Sequence, residues 1–174
     1  MAITLILLSL PIAWAIWAYN RLVRDRVRVE TGWSDIGVQL KRRYDLIPKL
    51  VAAVKQYAAY ESATLEAVTT LRSEAQNAAK STNDEQAISR DLKQLIAVAE
   101  NYPDLKADQV YLDLQQNLTH VEQHLQYARR YYNGAVRNLN IRIDSFPDTL
   151  VAKAFGFYNA EFFEFEPVNE VSEQ

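Results

Sequence analysis

Cysteine is absent from the 174 residues, which excludes a disulfide framework, a thiol nucleophile and a thiolate metal cage. Glycine and proline are scarce, at four and five, where about 12% of a typical chain would be one or the other. That shortage favours long helices and argues against an all-β domain. The glycines stand singly at 32, 37, 134 and 156, so no glycine-rich phosphate loop is present. Nor is there an excess of positive charge: 19 basic against 22 acidic residues leave a net charge of -3, a poor field for gripping a nucleic-acid backbone. Histidine is limited to His120 and His124, so no His from a separate segment is on hand to activate a serine. The two lie four apart on one helical face and could in principle share a metal. However, Glu122 is rotated away from both, and no Cys or third His completes a site. A solvated pair is therefore the preferred reading, with metal binding at His120 and His124 kept as a minor alternative. No cofactor and no enzymatic reaction are expected.

What is present begins with an uncharged stretch. No side chain from Met1 to Asn20 carries a charge, and residues 2–19 hold eight Leu and Ile. As a helix those residues rise about 27 Å, close to the ~30 Å of a hydrocarbon core. Trp14, Trp17 and Tyr19, followed by Arg21, Arg24, Arg26 and Arg28, form the aromatic and basic border expected at a membrane interface. Ala13-Trp14-Ala15 resembles a signal-cleavage site, but the early Lys or Arg of a signal peptide is missing. The expectation is thus an anchor over residues 1–20, with the amino terminus outside and the rest in the cytoplasm by the positive-inside rule. The remainder is expected to be one bundle domain over 21–160, with an acidic tail over 161–174.

No Gly or Pro interrupts Lys49–Tyr102 or Asp104–Asn133, leaving two stretches for long helices. In the first, Trp33, Leu40, Ile47 and Val54 recur every seven residues, with Tyr44, Val51, Ala58 and Leu65 four positions behind, predicting a stripe on one helix face. With no linker after the arginines, the membrane helix is expected to run straight into the domain, and Pro48 to kink it. Residues 76–86 read as a loop, and Ile88, Leu92, Leu95 and Ala99 as the face of a shorter helix ending at Tyr102-Pro103-Asp104, where the next begins. That next helix carries the clearest pattern: Tyr111, Leu118, Leu125, Tyr132 and Leu139 interleaved with Leu114, Val121, Ala128 and Ala135. It breaks at Ser145-Phe146-Pro147-Asp148, and a short apolar helix follows over about 149–157. The fold class is all-α: an amino-terminal transmembrane helix continuing into an antiparallel bundle of three long helices and a short fourth.

All six phenylalanines fall in the last 29 residues, and five Glu with no Lys or Arg follow from residue 161. Two readings of that tail are open: the rings plug the open end of the bundle, or they form a docking peptide for a partner.

The run Arg43-Tyr44-Asp45-Leu46-Ile47-Pro48-Lys49-Leu50-Val51, then Val54-Lys55-Gln56-Tyr57-Ala58, resembles the signature of the LemA family of bacterial membrane-anchored proteins. Ala128-Arg129-Arg130-Tyr131-Tyr132-Asn133, with Val136, Asn140, Ile143, Phe146-Pro147, Ala152 and Gly156-Phe157, resembles that family's second block. Lys49 departs from the family's usual Asn. The resemblance implies one amino-terminal span, a cytoplasmic helical bundle in the cell membrane of a bacterium, and no agreed active site to carry over. It also implies, through gene neighbourhood alone, membrane-protein partners that include a membrane-bound zinc metalloprotease.

The matched polar residues Arg43, Asp45, Arg130, Asn133 and Asn140 are expected to form one inter-helix network, since buried polar groups need partners and fix register. The interface with lipid is expected at Trp14, Trp17, Tyr19, Arg21 and Arg24. Together these readings predict a non-enzymatic scaffold at the bilayer that self-associates or holds another protein, with membrane lipid and no nucleic acid among its partners. The alternative is a module that reads anionic lipid through its basic stem.

Overall fold

A computed structural model describes residues 2–57, 92–93, 95–97, 99 and 102–163, with side chains from residue 9 onward except that of residue 57. Among the described residues the regular structure is all α-helical. Helix α1 spans Ala2–Tyr57, α2 is one turn at Pro103–Lys106, α3 spans Gln109–Asp144 and α4 spans Asp148–Ala154. As expected, α1 runs unbroken from the uncharged stretch into the domain, and it stays helical past Pro48. Leu92, Leu95 and Ala99 are helical and buried; the expected loop at 76–86 and Ile88 lie outside the described residues.

The chain divides into two compact units, residues 1–36 with 126–174 and residues 37–125, so α1 and α3 each contribute to both. Two separate cores form because the long helices outlast any one set of partners. In the second unit Ile47, Leu50, Val51 and Val54 of α1 meet Leu92, Leu95, Ala99, Leu105, Tyr111, Leu114 and Leu118. Pro103 opens α2, where a missing N–H costs nothing. The next long helix does not begin at once, as the sequence suggests: Asp108 caps α3, accepting the Tyr111 N–H at 3.0 Å, which satisfies one orphan donor of the first turn.

In the first unit Ala18 and Leu22 of α1 pack on Leu139 and Ile143 of α3 and on Val151 and Ala152 of α4. All nine seam positions read along α3 are buried. The stripe on α1 holds in part: Ile47, Val51 and Val54 are buried and Tyr44 packs against their core, whereas Trp33 is 49% exposed. The buried positions run Ala18, Leu22, Asp25, Gly32 and Ile36 in the first unit and Arg43, Ile47, Leu50, Val51 and Val54 in the second. The spacing is the 3,4 alternation of helix packing, but a search for apolar residues passes over Asp25, Gly32 and Arg43, which occupy it. Ala58 and Leu65 lie outside the described residues. Gly32 is where α1 and α3 approach closely, for a Cβ there would stand 3.1 Å from the Tyr132 Cα.

Among the described residues no helix is long and apolar enough to cross a membrane. The front of the expected anchor, residues 1–8, lies outside the described side chains. Its rear half is partly covered by protein, because Trp14, Ala15 and Ala18 pack against the core that α4 completes.

Candidate functional site

The end of α4 turns the chain back along the helices of its own unit. Gly156 takes φ 70°, a left-handed conformation that L side chains rarely adopt, and this lets the Phe157 N–H reach the Ala152 carbonyl at 2.9 Å. That bond is the closure typical of a glycine-terminated helix. Residues 157–163 then lie outside any helix as a strap along α1 and α3.

Two asparagines of α3 hold this strap by its backbone. Asn140 donates from Nδ2 to the Ala160 carbonyl at 2.9 Å and accepts the Ala160 N–H on Oδ1 at 2.8 Å. Asn133 does the same to Phe163, at 3.1 and 2.8 Å. Each side-chain amide thereby imitates the edge of a β-strand. The spacing explains why two such clamps fit one segment. Seven helical residues rise about 10.5 Å, and three extended residues advance about 10 Å, so Asn133 and Asn140 meet Phe163 and Ala160 in step. Between them the Tyr132 hydroxyl donates to the Glu161 carbonyl at 2.9 Å. Burial, and then the Glu161 charge, raise the Tyr132 phenol above its ordinary value of 10.0, keeping it a donor. Aromatic contacts close the strap over α1: Trp33 lies 5.4 Å from Tyr132 and 6.1 Å from Phe163, ring centre to ring centre. The Arg129 guanidinium sits 4.9 Å over the Phe163 ring, a cation–π arrangement.

A charged cluster lies toward the other end of the same unit. Asp25 is 3% exposed and accepts hydrogen bonds from Arg142 Nε and, at 3.0 Å, from Arg28 Nη1. Arg142 also reaches Asp148 at 3.5 Å. The four residues line a shallow cleft with Asn138, Ile141 and Ser145. Two carboxylates face two guanidiniums here, and these pairs tie α1, α3 and α4 together in a fixed register.

The five residues expected in one network have separate surroundings. Asn133 and Asn140 are brought together, on the strap. Arg43 is buried and pairs with Glu122 at 3.5 Å. Asp45 is exposed, and Arg130, also exposed, stacks its guanidinium 4.7 Å over Tyr127. Asp25 and Arg142 escaped the sequence reading because a charged residue at a seam position looks like a break in the seam. The available signal was Asp25 itself, the one acid among Arg21, Arg24, Arg26 and Arg28.

Of the residues expected at the lipid interface, Trp17 is exposed with the Arg21 guanidinium 4.9 Å over its ring. Tyr19 contacts Phe155 and Phe157 at 4.8 and 5.8 Å, and Arg24 donates to the Asn20 carbonyl. Two of the four stem arginines are already paired, Arg26 with Glu30 and Arg28 with Asp25. His120 and His124 are exposed, and among the described residues no three acidic or His side chains converge to hold a metal ion. Of the tail expected to plug the bundle or to dock, residues 161–163 form the clamped end of the strap, and residues 164–174, Phe165 among them, lie outside the described residues.

The described helices and the strap clamped along two of them define an all-helical fold. The chain belongs to the LemA family, whose model matches residues 32–173. It is 26% identical over 156 residues to Protein LemA of Metamycoplasma hominis, covering 87% of this chain and 71% of that protein. It is 24% identical over 188 residues to Magnetosome protein MamQ 2 of Paramagnetospirillum magneticum, covering 91% and 69%. Magnetosome protein MamQ of Magnetospirillum gryphiswaldense is 22% identical over 199 residues, covering 98% and 73%. None of these three names states an enzymatic activity.

Proposed function

We propose that the protein is a non-enzymatic scaffold held at a bacterial cell membrane by residues 1–20, amino terminus outside, presenting its helices in the cytoplasm to a second copy or to another membrane protein. The observation that carries this is the surface of early α1. Leu10, Ile12, Ile16 and Trp17 are all exposed on a segment without a charged side chain, and so large an apolar belt is costly in water but suited to lipid. Because the helix continues unbroken to Tyr57, such an anchor would pass orientation to the domain rather than act as a loose tether. The charged cluster at Asp25 supports the same reading by locking the first unit just beyond the arginines. On the family resemblance, the membrane-bound metalloprotease class is the candidate partner, and the relatives named as magnetosome proteins suit a part in building or holding a larger assembly.

The test is fractionation of cells carrying the full chain with a carboxyl-terminal reporter. Retention in the membrane after alkaline wash, reporter activity confined to the cytoplasm, and a detergent-extracted mass above that of one chain are expected. Release by the wash, or a reporter active outside the cytoplasm, would overturn the reading.

A further inference from the structure

The outer face of α4 and the corner that precedes it leave large apolar side chains uncovered in the first unit. Phe146 is 81% exposed, Leu150 57% and Phe155 63%, while the opposite face of α4, Val151 and Ala152, is buried. An amphipathic helix normally turns its polar face outward; here Leu150 stands exposed beside Lys153.

The place of this surface in the fold says which partner suits it. The buried face of α4 sits on Trp14, Ala15, Ala18 and Leu22, the last turns of the uncharged segment and the first past it. The Phe155 ring lies 4.8 Å from that of Tyr19. Ile143 packs in the same core as Ala18, and α3 runs antiparallel to α1 here, so the corner at Phe146 lies a further step toward the amino-terminal end. These rings therefore stand level with the aromatic border of the expected anchor. Charge is sorted in the same direction. Lys153 is exposed on α4, and Asp148 is paired with Arg142, leaving Asp144, bonded to Asn159, as the acid of the corner. The acidic end of the strap meets Trp33 instead, about 21 Å along α1 from Tyr19. Apolar rings with an exposed lysine, and the two nearby acids each engaged by a neighbouring side chain, suit a headgroup layer.

We propose that Phe146, Leu150 and Phe155 enter the headgroup–acyl boundary of the bilayer, giving the protein a second membrane contact beside its amino-terminal segment. The inference rests on the anchored reading above. The corner enters no deeper than the boundary, because its turn leaves backbone groups that the hydrocarbon core could not satisfy. Two contacts, unlike one, would fix the rotation of the first unit about α1.

The absence of cysteine makes the test direct. Single variants Ile12→Cys, Leu150→Cys, Phe155→Cys and Arg130→Cys of the full chain, each at an exposed position, are spin-labelled. Circular dichroism checks each for folding, and each is reconstituted in phosphatidylcholine–phosphatidylglycerol vesicles. Collision with oxygen, which concentrates in lipid, is compared with collision with a water-soluble nickel chelate. The oxygen-to-nickel ratio at 12, 150 and 155 is expected to exceed that at 130 by several-fold. Ratios at 150 and 155 equal to that at 130, with residue 12 still in lipid, would overturn the second contact and leave the anchor standing. Low collision with both reagents at 150 and 155 would mean a protein covers the face, and also overturns it. A water-like ratio at residue 12 would remove the anchor and this inference together.

Discussion

Removing one asparagine clamp should loosen the strap by an amount the geometry sets. Asn140→Ala deletes two hydrogen bonds to Ala160, and Asn133→Ala deletes two to Phe163. A typical intramolecular hydrogen bond contributes about 1 kcal/mol net, and a buried backbone group left unpaired costs about 1–3 kcal/mol. Both sites are only partly buried, so water recovers some of the loss, and about 1.5 kcal/mol per clamp is a reasonable figure. Since 1.4 kcal/mol is a factor of ten in an opening equilibrium, the Ala160 amide in Asn140→Ala, and the Phe163 amide in Asn133→Ala, should exchange hydrogen about tenfold faster. The effects should not stay local, because one continuous segment joins the clamps: the double variant should release the strap and expose Trp33, shifting its emission to the red. Hydrogen exchange by mass spectrometry or NMR on the full chain measures the first effect, and tryptophan fluorescence the second. Unchanged protection of Ala160 and Phe163 in the double variant would refute the clamp as the force that holds the strap.

The other expectations concern the first unit, which contains all three tryptophans and so can be followed by their fluorescence during denaturation. Asp25→Ala should destabilise it by about 3 kcal/mol, because the largely buried Arg142 loses its main partner, while Asp25→Leu with Arg142→Met should recover much of that loss; equal losses in the single and double variants would argue against a coupled pair. Gly32→Leu should lower stability by about 1–3 kcal/mol, since its side chain meets the α3 backbone at a contact already tight for one carbon, whereas Gly32→Ala should change little, its gain of about 1 kcal/mol in helix propensity offsetting the squeeze. Because the folded Tyr132 phenol titrates above its ordinary value of 10.0, the native state holds its proton more tightly than the unfolded chain. Its contribution is therefore fully present below pH 10 and is lost as pH rises through the folded value. Tyr132→Phe should remove that part of the alkaline decline, and identical pH profiles above 10 for the two proteins would count against it.

How far the sequence reached depended on whether a residue's role was local. Nine α3 positions could be placed in the core from spacing alone, because a seam held over four heptads admits one buried face and each of its residues is apolar or aromatic. Helix continuity from the uncharged stretch into the domain followed from the lack of any linker after the arginines, and the break at Ser145-Phe146-Pro147 from its turn residues. On α1 the same reasoning found Ile47, Val51 and Val54 but misplaced Trp33, since Asp25, Gly32 and Arg43 sit in the seam and only their partners make them tolerable there. Arg142 lies 117 positions from Asp25 in the chain, and nothing near Asp25 announces it. Asn133 and Asn140 were picked out, and their seven-residue spacing noticed, yet what they hold was hidden: an extended strap arrives only after the turn at Gly156 sends the chain back. Pattern and composition thus determined which segments are helical and which residues of α3 are buried, because those properties repeat along the chain with the period of the helix. Folding in three dimensions decided where the charges pair, which backbone the asparagines clamp and which face of α4 stays bare, because each depends on segments far apart in the chain coming to lie side by side.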